Sequence, residues 1–140
     1  MNNRYLFRAK RINNGEWVEG YLVETRHNTY HDGYRIIDKD GINYDELDYY
    51  EPSFISYVID KTTICRCTGL KDKNGKLIWE NDVVECQGII GIIGWNETHL
   101  AYTILASIDG NMKYYYIDES LSSDIEVIGK IFDNPELMNE

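Results

Sequence analysis

Five Asx-Gly pairs punctuate the 140-residue chain, and they limit its fold more than any other feature: Asn14-Gly15, Asp32-Gly33, Asp40-Gly41, Asn74-Gly75 and Asp109-Gly110. Asn and Asp tolerate the left-handed backbone region and Gly takes it without steric cost, so each pair suits a tight reversal. The primed turns that such pairs favour share the twist of the strands they join, and they therefore close hairpins. Between the pairs lie runs rich in β-branched and aromatic residues, at 5–9, 17–23, 34–37, 57–59, 62–68, 77–79, 83–86, 89–95, 100–106, 113–117 and 125–132. Short strands at this spacing predict an all-β, mainly antiparallel fold.

Helix signals are sparse. Residues 45–50 and 134–138 are each expected to form one turn, the second with Asn134 as N-cap and Pro135 at the first helical position. Residues 120–124 read as a loop. The reading predicts a strand-rich N-terminal lobe over residues 1–66 and a C-terminal lobe over 67–140. About five strands from Val83 onward suit a small SH3-like barrel. In that barrel Gly88, Gly91 and Gly94 are expected to relieve crowding along a bent strand.

Composition agrees with a globular fold: 43% hydrophobic and 27% charged residues, 2 Pro and 12 Tyr. No apolar run approaches the roughly 18 residues of a membrane span. Met1-Asn2-Asn3-Arg4 lacks the apolar core of a secretory signal, so the expected location is the cytoplasm. With 14 basic against 24 acidic residues, the formal charge of −10 repels phosphate backbones, and direct nucleic-acid binding is not expected. Arg4, Arg8, Lys10 and Arg11, then Lys71, Lys73 and Lys76, are the basic groups nearest to a local patch. Three cysteines, Cys65, Cys67 and Cys86, fit buried reduced thiols better than a disulfide framework.

Signatures of chemistry are weak. His27, His31 and His99 follow no zinc-finger spacing. Gly88, Gly91 and Gly94 lack the following helix and the Lys-Ser or Lys-Thr pair of a phosphate loop. The acidic middle (Asp38, Asp40, Asp45, Glu46, Asp48, Glu51) does not continue with EF-hand spacing, and no Lys has a carboxylate two positions before it. Glu80 and Asp82 are the most interesting acid pair, either as a functional corner or as acceptors for backbone N–H groups where the chain turns into Val83. No catalytic residue, cofactor or metal ligand is assigned.

Aromatic residues offer more for binding. Tyr49-Tyr50 and Tyr114-Tyr115-Tyr116 place rings on both faces of a sheet, so some of them must lie outside the core. Tyr49, Tyr50, Tyr114 and Tyr116 are the candidate interface residues, since a rigid ring with a polar tip loses little entropy on contact. Self-association is the expected use.

The run from Thr68 through Asn74-Gly75-Lys76, Trp79-Glu80-Asn81-Asp82 and Val83-Val84 resembles the hallmark of the YopX-like proteins of bacteriophages and prophages. Two further blocks match in the same order. Phe7-Arg8-Ala9-Lys10-Arg11-Ile12 leads into Glu16-Trp17-Val18-Glu19-Gly20-Tyr21-Leu22, and Ile125 to Leu137 is similar to the family's closing strand and tail. Residues 24–60 match only loosely. Cys67 stands where relatives often have an aromatic residue, and Asn81 where they often have Gly, a change that leaves the left-handed conformation accessible. The resemblance implies a phage or prophage protein of a bacterial cytoplasm and supplies no catalytic group. The leading expectation is a non-enzymatic homo-oligomeric binding or assembly module. Behind it stand an acidic inhibitor or regulator of a host nucleic-acid enzyme, with a host protein as partner, and a metal-dependent hydrolase using Glu80 and Asp82.

Overall fold

Each of the eleven β-rich runs carries a strand in the computed structural model, which describes residues 3–25, 33–43 and 53–138. The fold is all-β and antiparallel, as the turn spacing predicts. The chain divides into two compact units, Tyr5–Arg66 and Cys67–Glu140 with Met1–Arg4.

In the first unit, β1 (Phe7–Lys10), β2 (Trp17–Thr25), β3 (Gly33–Asn43) and β4 (Ser53–Val58) run in the spatial order β4-β3-β2-β1. Strand β5 (Cys65–Lys71) opens beside β1, with Cys65 opposite Arg8 and Arg66 opposite Phe7. Ala9, Ile36 and Ile59 form the buried centre, with Phe7, Val18, Leu22, Tyr34, Tyr57 and Ile64 packed around it. Complete burial of one such aliphatic side chain contributes about 1.5–3 kcal/mol.

Asn14-Gly15 reverses the chain between β1 and β2 as expected, with Gly15 at φ 71° and the Asn14 carboxamide accepting the Glu16 N–H at 3.0 Å. Asp40-Gly41 does not reverse it. The pair lies inside β3, where the Asp38 carboxylate takes the Asp40 N–H at 2.8 Å and the register against β4 slips between Ile37 and Ile42. An Asx-turn within one strand absorbs the extra residues as an irregularity, so the same dipeptide makes a bulge here and a hairpin elsewhere.

In the second unit, β6 (Leu77–Trp79) pairs with the end of β5. A five-stranded sheet follows in the order β10-β9-β8-β7-β11, built from β7 (Asp82–Cys86), β8 (Ile89–Asn96), β9 (Ala101–Ile108), β10 (Asn111–Tyr116) and β11 (Ile125–Lys130). Its core joins Ile78, Val84, Cys86, Ile93, Ile104 and Ile125. Among the described residues the expected SH3-like barrel does not close: β11 pairs with β7, β10 pairs with β9, and both are edge strands of an open sheet. Closure requires the outer strands to pair with each other, and their sequences carry no signal of which neighbour they choose.

Among the described residues two hairpins have two-residue turns with positive φ at both positions: Asp109-Gly110 at 53° and 80°, and Gln87-Gly88 at 51° and 80°. Gly88 is therefore a turn residue and not a bend within a strand. Gly91 does permit a close approach, since a Cβ there would lie 2.7 Å from the Leu105 carbonyl oxygen, whereas Gly94 faces open space. Gln87 has no short side chain to ease the left-handed region, so Gln87→Asn is expected to stabilise the fold by roughly 0.5–1 kcal/mol. Thermal denaturation of the pair checks this.

Residues 119–122 form a short helix, α1 (Glu119–Ser122), where a loop is expected. The Asp118 carboxylate caps it by accepting the Leu121 N–H at 2.8 Å. The turn at Pro135–Met138 forms as a 3-10 helix, but the Asn134 carboxamide reaches back to the Lys130 N–H at 3.2 Å. The predicted turn at residues 45–50 lies outside the described residues.

Candidate functional site

Strand β10 is exposed along all six of its residues and has a strand neighbour on one side only among the described residues. Its composition explains why it joins a sheet at all: Tyr114, Tyr115 and Tyr116 favour extended backbone, and Asp109-Gly110 folds the strand back on β9. Ile117 donates its N–H to the Tyr102 carbonyl at 3.2 Å, one pair beyond Tyr116 opposite Thr103. Hydrogen-bonded and non-hydrogen-bonded pairs alternate in an antiparallel ladder. Asn111, Lys113 and Tyr115 therefore turn their backbone groups toward β9, and Met112, Tyr114 and Tyr116 turn theirs to the open edge.

The same three residues share the outer face of the sheet, because side chains alternate along a strand. Met112 is 62% exposed, Tyr114 49% and Tyr116 47%, and Leu105 opposite Tyr114 adds a further 40%-exposed aliphatic. Their rings are ordered: Tyr114 and Tyr116 meet edge to face at 5.7 Å, and His99 meets Tyr116 at 5.6 Å. Desolvation, followed by the charge and hydrogen bond of the neighbouring Tyr114, pushes the Tyr116 phenol above its ordinary range. Tyr115 points to the opposite face and lines a small cavity with Cys86, Ile89, Ile104 and Leu121. Both predicted interface residues of this strand, Tyr114 and Tyr116, thus stand together on one face. Tyr49 and Tyr50 lie outside the described residues.

The Glu80 and Asp82 corner is built differently. Asp82 is fully buried, and its Oδ2 accepts the Trp79 N–H at 2.8 Å. Between them Asn81 takes φ 68°, gives its N–H to Ile93 and receives the Ile131 N–H on its carbonyl. Glu80 is half-buried. This geometry joins β6, β7 and β8 through backbone hydrogen bonds. Asn tolerates the left-handed region, which explains how it serves at a corner where glycine would otherwise be expected.

Sequence reasoning missed Asp72. It is 5% exposed, and its carboxylate collects three backbone N–H groups: Asn74 and Lys76 at 2.9 Å on Oδ1, and Val127 at 3.0 Å on Oδ2. Lys73 N–H donates to the Ile125 carbonyl at 2.9 Å, so the Asn74-Gly75 turn is tied to β11. Burial alone would raise the carboxyl pKa. The three N–H donors and the Lys76 ammonium outweigh burial and hold it below the usual range. The available signal was the Asp-x-Asn-Gly spacing of an Asx-turn; the partner Val127 is distant in sequence and left no trace there.

Other candidates lie in structural settings. Arg8 and Lys10 stand over the Trp17 ring at 5.1 and 5.5 Å, Arg11 stands over Tyr57 at 4.7 Å, and Lys73 pairs with Glu126 at 3.0 Å. Cys65, Cys67 and Cys86 are buried and outside any disulfide, and burial followed by the Asp124 charge raises the Cys86 thiol pKa. His27 and His31, with Asp45, Glu46, Asp48 and Glu51, lie outside the described residues. Among the described residues no group of three or more His, Cys, Asp or Glu side chains is arranged to hold a metal ion. A cavity of about 360 Å³ beside the tips of β8 and β9 is lined by Ile89, Ile90, Ile108, Leu137 and Met138, with Asp109 as its one charged residue.

A family model described as "YopX protein" matches residues 6–139. No curated protein matches the sequence. Among solved structures, the crystal structure of protein EF1440 from Enterococcus faecalis is similar at 22% identity, covering 94% of this chain and 96% of that one, with a TM-score of 0.46.

Proposed function

The chain belongs to the YopX protein family, and from that premise we propose that it is a non-enzymatic binding or assembly module that works as a homo-oligomer in a bacterial cytoplasm, encoded by a phage or prophage. The observation that carries this reading is β10, an exposed edge strand with outward backbone groups and a face formed by Met112, Tyr114 and Tyr116. An open edge of this kind is a template for another strand, and proteins that remain monomeric blunt it with charge, proline or a bulge. Strand β10 has no proline, its register against β9 is unbroken, and its one charge is Lys113.

Tyrosine suits the role because it buries a large ring at small entropic cost while its hydroxyl keeps a partner. A net charge of −10 opposes the approach of like copies, and β10 adds no carboxylate to that repulsion. Light scattering at tens of micromolar is expected to give a mass of at least two chains. A single-chain mass over that range would contradict the proposal.

A further inference from the structure

We infer that Asn14-Gly15 is a site of spontaneous deamidation, at which the folded chain converts Asn14 to aspartate and isoaspartate ahead of Asn74 in the Asn74-Gly75 pair. The sequence contains two Asn-Gly pairs, and a following residue without a Cβ leaves the backbone nitrogen room to reach the carboxamide carbon. The Gly15 nitrogen yields its proton to hydroxide and bonds to Cγ of Asn14. The bond from Cγ to Nδ2 then breaks, and ammonia leaves. Water opens the resulting succinimide at either carbonyl, which gives aspartate or isoaspartate. Water and hydroxide are the co-reactants.

Exposure does not separate the two pairs. Both lie in exposed turns, Gly15 at φ 71° and Gly75 at φ 80°, and among the described residues a Cβ at either glycine would meet nothing within 4 Å. Each glycine N–H must also release a backbone acceptor. Gly15 donates to the Arg11 carbonyl at 2.9 Å, and Gly75 to the Asp72 carbonyl at 3.0 Å.

Hydrogen bonding at the carboxamide does separate them. Attack moves negative charge onto Oδ1 of the asparagine, and a donor already aimed at that oxygen stabilises it. Asn14 Oδ1 accepts the Glu16 N–H at 3.0 Å. The equivalent donor in the second turn is the Lys76 N–H, and it goes to Asp72, whose Oδ1 accepts both Asn74 and Lys76 at 2.9 Å. Asp72 therefore withdraws the donor and sets a carboxylate beside the charge that attack creates. Of the ammonium groups flanking Asn74, Lys73 is paired with Glu126 at 3.0 Å and Lys76 acts on Asp72. The Glu16 carboxylate near the first pair is solvent-exposed, where water and salt screen it. The second turn is also tied to β11 through Val127 and Ile125, which restrains Gly75 from approaching Asn74 Cγ.

Each event adds one negative charge to the connection between β1 and β2. Isoaspartate also lengthens the backbone inside the turn that the Arg11 N–H closes on the Glu16 carbonyl at 2.9 Å. A more acidic form of the protein thus accumulates with time after synthesis.

The test follows the full chain at mildly alkaline pH, folded in buffer and unfolded in urea. Peptides released in mild acid are read by mass spectrometry for the exchange of an amino group for a hydroxyl. In the folded chain Asn14 is expected to convert at least about fivefold faster than Asn74. In urea the Glu16 donor and the Asp72 acceptor are both out of place, and the two rates should agree within about twofold. Equal rates in the folded chain, or a faster Asn74, would overturn the assignment. A preference for Asn14 that is undiminished in urea would overturn its origin in the fold.

Discussion

Replacing Asp72 by alanine is expected to lower the unfolding free energy by about 3 kcal/mol, because three backbone N–H groups lose a charged acceptor in a buried position. Two of those donors belong to the Asn74-Gly75 turn and the third to β11, so the substitution loosens the turn and its tether together. Urea denaturation of the wild type and Asp72→Ala at neutral pH measures the difference. The effect also has a defined pH dependence. The folded pKa of Asp72 is lowered while an unfolded aspartate titrates near 3.9, so the unfolded chain binds the proton more readily. Its contribution is fully present above about pH 4 and is lost as pH falls through the folded value. The stability gap between wild type and Asp72→Ala should therefore narrow below about pH 4 and stay constant between pH 6 and 8. A gap that persists undiminished in acid would show that the carboxylate charge is not what holds the turn.

Gly20→Ala is expected to have an effect of similar or greater size, about 3 kcal/mol or more. A Cβ at Gly20 would overlap the backbone carbonyl of Ile37 on the neighbouring strand and press on the Ile36 Cγ2 at 3.0 Å. A carbonyl inside a ladder has no rotamer to change, so β2 and β3 must separate along Gly20, Tyr21 and Leu22 opposite Asp38, Ile37 and Ile36. Ile36 is completely buried at the centre of that unit, and the separation opens the core around it. Gly94→Ala is the matched control: its Cβ meets open space, and the change should stay within about 0.5 kcal/mol. Equal stability of Gly20→Ala and wild type would mean that β2 and β3 are farther apart than described.

Strand positions were legible in the sequence because β-branched and aromatic runs between turn residues leave little other choice of structure. Which turns are hairpins was only partly legible. Asp109-Gly110 and Asp40-Gly41 look alike, yet the first has a matching strand at once on each side, while Asp38 captures the backbone of the second and keeps β3 continuous. Gln87-Gly88 makes the same turn as Asp109-Gly110 without the short side chain that normally advertises it. Helix α1 is one turn long and depends on a single cap, Asp118, too little periodicity to stand out. Sheet closure depends on which strands choose each other across tens of residues, and a pattern read along one strand says nothing of that choice.

The site was legible to a similar degree. Three adjacent tyrosines announce that one face of β10 must leave the core, and Tyr114 and Tyr116 do so. That β10 is an edge strand could not be read from them, because edge position is a property of the whole sheet. Asp72 stood within the most recognisable stretch of the chain, yet between Lys71 and Lys73 it looked like a solvated turn charge. Its burial is imposed by β11, whose Val127 lies 55 positions away.

Light scattering of the wild-type chain and of Tyr114→Pro, which removes an outward N–H of β10, across tens of micromolar decides whether copies associate through that edge. Association through the β10 edge predicts a wild-type mass of at least two chains and a folded, single-chain variant. A monomeric wild type, or a variant that keeps the wild-type mass, would contradict it.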